Sequence, residues 1–308
     1  MEQSIYLGGV SYETGESVDI AAAAMSPETL DLLRAPENNV KNFSHLPGDL
    51  FDSACTSVAH SLTASGRYAS DIDAVFLISS MVDAQNNIDA QWLADLSTRL
   101  GMETIPFYAV GLAGCAGFHA GLKCASAMVA SGDLKNALLL SFDQSGGDLQ
   151  RVYGEGSDFI YVTGDAVSSC LVSRDAHQLP YKLCGHVQYT SNTRQIEHFS
   201  SETDMRSISA LMKRTYQQSS IPAASVSRFI CNNYTLEATR LFCQLSGINH
   251  GKAVTRQLPR FAHCFGSDNL INLKQLEMDK ELSAGDHILL FSTGPFQMGA
   301  CIITCTAP

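Results

Sequence analysis

With 308 residues, 45% of them apolar and 17% charged, the chain has enough apolar material for a large buried core, and its composition excludes intrinsic disorder. A formal net charge of −11 disfavours a nucleic-acid partner, because neutralising phosphates needs a concentrated basic surface, and the one small cluster, Arg206 with Lys213 and Arg214, reads as a solvated helix face. No apolar run reaches the ~18–20 residues that span a bilayer, and MEQSIYLGGVSYETG lacks the features of a signal peptide, so a cytoplasmic protein with no membrane partner is expected.

In chain order, SIYLGGV (4–10) reads as a first strand, and the polar segment 13–47 as an excursion holding a short helix near 27–33. Residues 51–65 have apolar and small residues at helical spacing, stopped at Gly66, and DIDAVFLISS contains a strand covered on both faces. A helix over 89–100 follows, with Trp92, Leu93, Leu96 and Leu100 on one side. Then come a strand at 106–109, a small-residue turn around Cys115, a helix to Gly132 and a strand over 136–142. A glycine- and acid-rich loop leads to strands at 159–162 and 167–172. The second part repeats the alternation: strand 183–189, helix 204–218, strand 228–231, helix 235–246, helix 268–278, and strands 287–291 and 298–304. This pattern predicts a layered α/β fold of two related halves with no linker, divided as 1–173 and 174–308.

The ten cysteines, at 55, 115, 124, 170, 184, 231, 243, 264, 301 and 305, lie in apolar segments with no CxxC pair and read mostly as reduced core residues. The His263-Cys264 pair has no second doublet at a metal-ligand spacing, so no metal is expected, and no cofactor is called for. Cys115 is different because it sits in AGCAG, where the backbone carries no bulk and the following helix offers unpaired N–H groups that stabilise a thiolate. Taken alone, the turn fits a reactive thiol and a packed small residue equally.

Six segments in order resemble the thiolase superfamily, and more closely its ketoacyl synthase III branch: DIDAVFLISSMVD, GLAGCAGFHAGL, TGDAVSSCLVSR, SRFICNNYTLEATRLFCQLSGI, FGSDNLINL and SAGDHILLFSTGPFQMGACIIT. The resemblance implies a five-layered αβαβα fold built from two βαβαβαββ halves, a homodimer, and Cys115 as a nucleophile that carries an acyl group as a thioester. It also implies an oxyanion hole from the backbone N–H groups of Cys115 and Gly294, with Gly294-Pro295 fixing that loop.

The sequence departs from the branch where its second and third catalytic residues stand. Asn232 occupies the place of the histidine, and Gly266-Ser267 the place of a Gly-Asn turn, followed by Asp268. Asn232 can donate a hydrogen bond but cannot move a proton near neutral pH. Losing both residues argues against decarboxylative chain elongation, whereas acyl transfer to a heteroatom needs only an acylated cysteine, an oxyanion hole and a base. His263 and Asp268 are the candidate bases. The alternatives are a structural histidine at a strand end and a helix N-terminal acid. His119 reads as a packed, hydrogen-bonded histidine and Asp165 as a turn-shaping residue.

The tryptophan–arginine pair that holds a coenzyme A adenine has no counterpart, Ser157 standing at the arginine position, and Glu237 stands where the branch offers an arginine to a carrier protein. Lys213 and Arg214 remain as carrier contacts. The expected function is a ketoacyl synthase III-like acyltransferase of specialised metabolism, working by a ping-pong route through acyl-Cys115. Its donor would be an acyl thioester of an acyl carrier protein or coenzyme A, and its acceptor a small-molecule amine, hydroxyl or carbon nucleophile. The alternatives are a carbon–carbon bond-forming condensing enzyme and a degenerate subunit supporting an active homologue.

Overall fold

The computed structural model describes residues 4–80, 90–145, 151–157, 159–190, 202–294 and 297–306. The elements in order are β1 (Ile5–Thr14), β2 (Glu16–Asp19), α1 (Pro27–Arg34), β3 (Asn42–His45), α2 (Phe51–Ser65), β4 (Ala74–Ile78) and α3 (Ala90–Leu100). Next are β5 (Phe107–Val110), α4 (Gly117–Ser131), β6 (Asn136–Asp143), β7 (Val152–Tyr153), β8 (Tyr161–Val162), β9 (Ala166–Ser173) and β10 (Tyr181–Thr190). The chain closes with α5 (Glu202–Ser219), β11 (Val226–Ile230), α6 (Leu236–Ser246), α7 (Leu258–Phe261), α8 (Asp268–Met278), β12 (His287–Thr293) and β13 (Gln297–Cys305).

Nine strands run in the order β11-β12-β13-β10-β1-β9-β6-β4-β5. On one side of the β1/β10 junction, β4 is parallel to β5 and β6, β6 is antiparallel to β9, and β9 is antiparallel to β1. On the other, β11 is parallel to β12, β12 is antiparallel to β13, and β13 is antiparallel to β10. A parallel bridge between Phe229 and Ala253 stands where the counterpart of β5 would pair with β11. The connectivity is therefore the same in both halves, and the expected division falls at Ser173, the last residue of β9. The halves are joined by antiparallel pairing of Ile5, Tyr6 and Leu7 with Leu183, Lys182 and Tyr181.

Helices α2 and α3 cover the outer face of the first half, and α5 and α6 that of the second. Between the halves lie α4, touching β4, β6, β9 and β13, and α8, touching β1, β9, β11 and β12. This gives five layers, αβαβα. The residue types fit those places. The strand segment AVFLI of β4 is buried on both faces, as is all of β9. Ser57 and Ser61 of α2 seat on the Ser169 hydroxyl of β9 at 2.8 and 2.6 Å, so these buried polar groups are paired. In α4, Cβ atoms at Gly117 and Gly121 would lie 2.8 and 2.5 Å from the Ile78 side chain, so the small residues let the helix press against β4.

Several elements differ from the sequence expectation. The excursion 13–47 contains an antiparallel β2–β3 pair with α1 between its strands, and the strand expected at 159–162 is confined to Tyr161–Val162, paired with β7. The strand expected at 228–231 runs instead over Val226–Ile230, and Cys231 leaves it with Asn232 to approach the site. Asp89, expected to open α3, lies outside the described residues, as does Pro295. Among the described residues, no helix is long and apolar enough to cross a membrane.

Candidate active site

Three segments converge on Cys115. The Cys115 turn is a single 3-10 turn, Gly114–Ala116, leading directly into α4, and Cys115 is 6% exposed. The loop between α7 and α8 supplies His263, and the first residue of α8 supplies Asp268. His263 Nε2 lies 3.0 Å from Cys115 Sγ, and His263 Nδ1 lies 2.5 Å from Asp268 Oδ2. The order is thiol, imidazole, carboxylate, with both nitrogens of one ring engaged.

Burial alone would push the His263 imidazole down. The charges of Cys115 and Asp268 and the hydrogen bonds to both outweigh it, lifting the group from 6.5 to about 10. An imidazolium so held at neutral pH donates to sulfur on one side and to carboxylate on the other. Asp268 is fixed in turn. Its Oδ1 accepts from the Cys264 N–H at 2.8 Å and its Oδ2 from the Asn233 N–H at 2.8 Å, with Asn233 Nδ2 adding a bond of 3.2 Å. The carboxylate is thus both a first-turn acid of α8 and the orienter of His263.

The other expected site residues are held in different ways. Asn232 accepts from the Thr293 N–H at 2.9 Å through Oδ1 and donates from Nδ2 to the Phe265 carbonyl and to Asp268, at 3.2 and 3.4 Å. Its hydrogen bonds serve the site's walls. Ser267 Oγ accepts from Ser168 at 2.9 Å and has no hydrogen bond with Cys115 or His263. Gly294 lies against the Cys115 turn, where a Cβ would come within 2.9 Å of Cys115 N and 3.1 Å of the Ala113 carbonyl. Its N–H, expected as an oxyanion donor, is given to the Gln297 carbonyl at 2.8 Å.

Two groups important to this geometry gave no sign in the sequence. Tyr234, two residues after Asn232, is buried with its ring 4.3 Å from that of His263, and its hydroxyl donates to the Thr293 carbonyl at 2.5 Å. Tyr161 and Phe265 stand 5.4 and 5.3 Å from the same imidazole. Arg151, a lone cation in a glycine- and acid-rich loop, is fully buried and pairs bidentately with Asp165 at 2.9 Å through each nitrogen. Asp165 also caps the Leu46 and Ser145 N–H groups, and the adjoining Val162–Gly164 segment bonds the His263 backbone on both sides, at 3.0 and 2.9 Å. The turn-shaping role expected of Asp165 therefore extends to the backbone that carries His263. Non-glycine residues with positive φ flank the site at Leu112, Ala262 and Phe265, with φ of 60°, 55° and 50°. Strain of this kind persists where the surroundings over-determine the chain.

His119 is packed against His186, with ring centroids 5.4 Å apart, and burial pushes it down to about 3, with Asn269 beside it offsetting this in part. Ser157 bonds the carbonyls of its own turn, and Glu237, Lys213 and Arg214 are exposed. Among the described residues no group of three or more His, Cys, Asp or Glu side chains is placed to hold a metal.

No protein family and no curated protein matches this chain. Among solved structures it is similar to the acyltransferase ChlB3, with a TM-score of 0.85 at 15% identity over 99% of this chain and 98% of that one. The chain has the ketoacyl synthase III fold. The 3-oxoacyl-[acyl-carrier-protein] synthase III of Aquifex aeolicus superposes with a TM-score of 0.79 at 13% identity, over 97% of this chain and 99% of that one. Xanthomonas campestris OleA, solved as a variant with one glutamate replaced by aspartate, does so with a TM-score of 0.77 at 14% identity, over 98% and 99%. The ketoacyl synthase III fold is thus matched along essentially the whole chain, and the thiolase-type five layers expected from the motifs are present.

Proposed function

We propose that this chain is an acyltransferase that carries its acyl group on Cys115 and delivers it to a small-molecule hydroxyl or amine. The observation that carries the reading is the Cys115–His263–Asp268 arrangement, which supplies a nucleophile, a base and an orienting carboxylate. The thiolate attacks the carbonyl carbon of an acyl thioester, the donor's C–S bond breaks, and the leaving thiolate takes the proton from His263 Nε2. Acylation removes the sulfur's negative charge, one of the influences that raise His263, so the imidazole stays neutral and is free to accept a proton in the second step. His263 then accepts the acceptor's proton as its oxygen or nitrogen attacks, the bond to Cys115 breaks, and the thiolate–imidazolium pair is restored.

A base oriented in this way suits a hydroxyl acceptor, which needs deprotonation during attack. Carbon–carbon bond formation is less well supported, because the Asn232 and Ser267 side chains are bonded to the site's own walls rather than left to hold a thioester carbonyl. The donor is an acyl thioester of a carrier protein or of coenzyme A. We infer in addition a homodimer joined at β5, the end strand of the sheet.

Intact-mass measurement after mixing with acyl thioesters tests the reading. An acyl adduct is expected on the wild type and none on Cys115→Ala, with His263→Ala slowing its formation by about 10²–10⁴-fold. No adduct on the wild type, or one that survives loss of Cys115, would sink it.

A further inference from the structure

Attack on a thioester places negative charge on the former carbonyl oxygen, and donors aimed at that oxygen lower the barrier. At Cys115 most neighbouring donors are already engaged. The Gly294 N–H is given to the Gln297 carbonyl and the Thr293 N–H to Asn232 Oδ1. The Asn232 amide is spent on the Phe265 carbonyl and Asp268. His263 Nε2 faces the sulfur and must handle the proton.

Tyr234 differs from these groups. Its ring packs on the His263 ring with centroids 4.3 Å apart, and its hydroxyl meets the Thr293 carbonyl at 2.5 Å, next to Gly294, whose backbone lies against Cys115 N. A phenol can redirect its O–H by rotation about the C–O bond without moving the ring. From this geometry we propose that the Tyr234 hydroxyl turns from the Thr293 carbonyl to the oxyanion of the tetrahedral intermediates at Cys115, acting with the Cys115 N–H as a catalytic hydrogen-bond donor.

The exchange favours the transition state. A charge-assisted hydrogen bond is roughly twice as strong as a neutral one, so the hydroxyl gains by leaving a carbonyl only when charge develops on the substrate oxygen. Burial, with the charge of Cys115 behind it, holds the phenol well above 10, so it remains a donor throughout the neutral and mildly alkaline range. No bond to Tyr234 is made or broken. On collapse, the intermediate expels the thiolate, the carbonyl re-forms, and the hydroxyl returns to Thr293.

This inference rests on the acyl-Cys115 reading, and one pair of measurements separates the two. Tyr234→Phe keeps the ring on His263 and removes only the hydroxyl. Single-turnover acylation is followed by rapid quench and intact mass, with acetyl, malonyl and hexanoyl N-acetylcysteamine thioesters as probes. Alkylation by iodoacetamide is followed in parallel across pH. Alkylation uses the same thiolate and the same imidazolium but passes through no oxyanion. The expected result is acylation slowed on the order of 10²-fold or more, with the rate of alkylation changed severalfold at most. Acylation by the variant at the wild-type rate overturns the role of Tyr234 alone. Equal slowing of both reactions also overturns it, by making Tyr234 a residue that merely positions His263. A wild type that alkylates but accepts none of the thioesters overturns the acyl-Cys115 reading itself.

Discussion

Three buried carboxylates show how their partners decide their chemistry. Asp268 collects two backbone N–H groups and an imidazole, and Asp165 holds the Arg151 guanidinium between two bonds of 2.9 Å. Asp143, at the end of β6, has hydrogen bonds from the Ser80 N–H at 2.6 Å and the Ser79 hydroxyl at 3.1 Å, and no ion pair among the described residues. Burial therefore dominates, and these bonds with the more distant His263 offset it only in part, leaving the group pushed up from 3.8 to about 7. Because the folded state keeps this proton to higher pH than the unfolded chain, stability contributed by the protonated acid is fully present below about pH 4. It is lost as pH rises through about 7. Asp143→Asn removes the titration. The variant's stability relative to the wild type should rise between pH 4 and 7, by ~4 kcal/mol in total, and stay level above that range. Denaturant unfolding of both proteins at a series of pH values measures the difference, and a gap that does not change with pH refutes the assignment.

At the level of elements, the contact of α4 with β4 sets where Cys115 sits, since the Cys115 turn opens directly into that helix. A Cβ at Gly121 would come within 2.5 Å of Ile78 Cδ1 and 2.8 Å of Cγ1. Gly121→Ala should therefore destabilise by about 1–3 kcal/mol despite alanine's better helix propensity, because the core is already full there. Ile78→Val removes the nearer atom. The double variant should be more stable than the sum of the two single changes, and strict additivity in chemical denaturation would show that the two residues do not meet. The helical spacing of small and apolar residues made α2 and α4 legible to within a residue or two, and an apolar run bounded by turn residues did the same for β9, which is buried throughout. The β2–β3 pair was not legible, since its eight residues are too few and too polar to show alternation and α1 lies between its strands. The site was legible in parts. Cys115 announces itself by its small neighbours, and His263 and Asp268 could be named as candidates. Their meeting with a thiol 148 positions from His263 depends on the packing of the turn 114–116 against the turn 265–267, which no local pattern encodes. Tyr234 and Arg151 were illegible for the same reason, because burial of a lone tyrosine or arginine is a property of what packs around it.

On the scale of the whole molecule, the nine-stranded sheet ends at β5, which pairs with β4 alone among the described residues. The outer edge of such a strand presents unpaired N–H and C=O groups, and soluble chains shield or charge it. Here the edge is neither short of apolar groups nor charged. Tyr108 is 41% exposed and Leu112, which follows the strand in a left-handed conformation, is 85% exposed. A second copy related by a two-fold axis would continue the sheet antiparallel across β5 and cover both side chains, an isologous contact in which each strand satisfies the other. Leu112 is three residues before Cys115, so the same contact would close over the approach to that thiol. The wild type should therefore sediment at twice the 33.2 kDa chain mass, and Leu112→Glu should shift it toward the monomer at micromolar concentration. If the edge also shelters the site, the monomeric variant should expose Cys115 to faster iodoacetamide alkylation while its thermal unfolding becomes independent of protein concentration. Sedimentation of the wild type as a monomer would exclude the two-fold contact, and Leu112→Glu remaining dimeric would place the interface elsewhere.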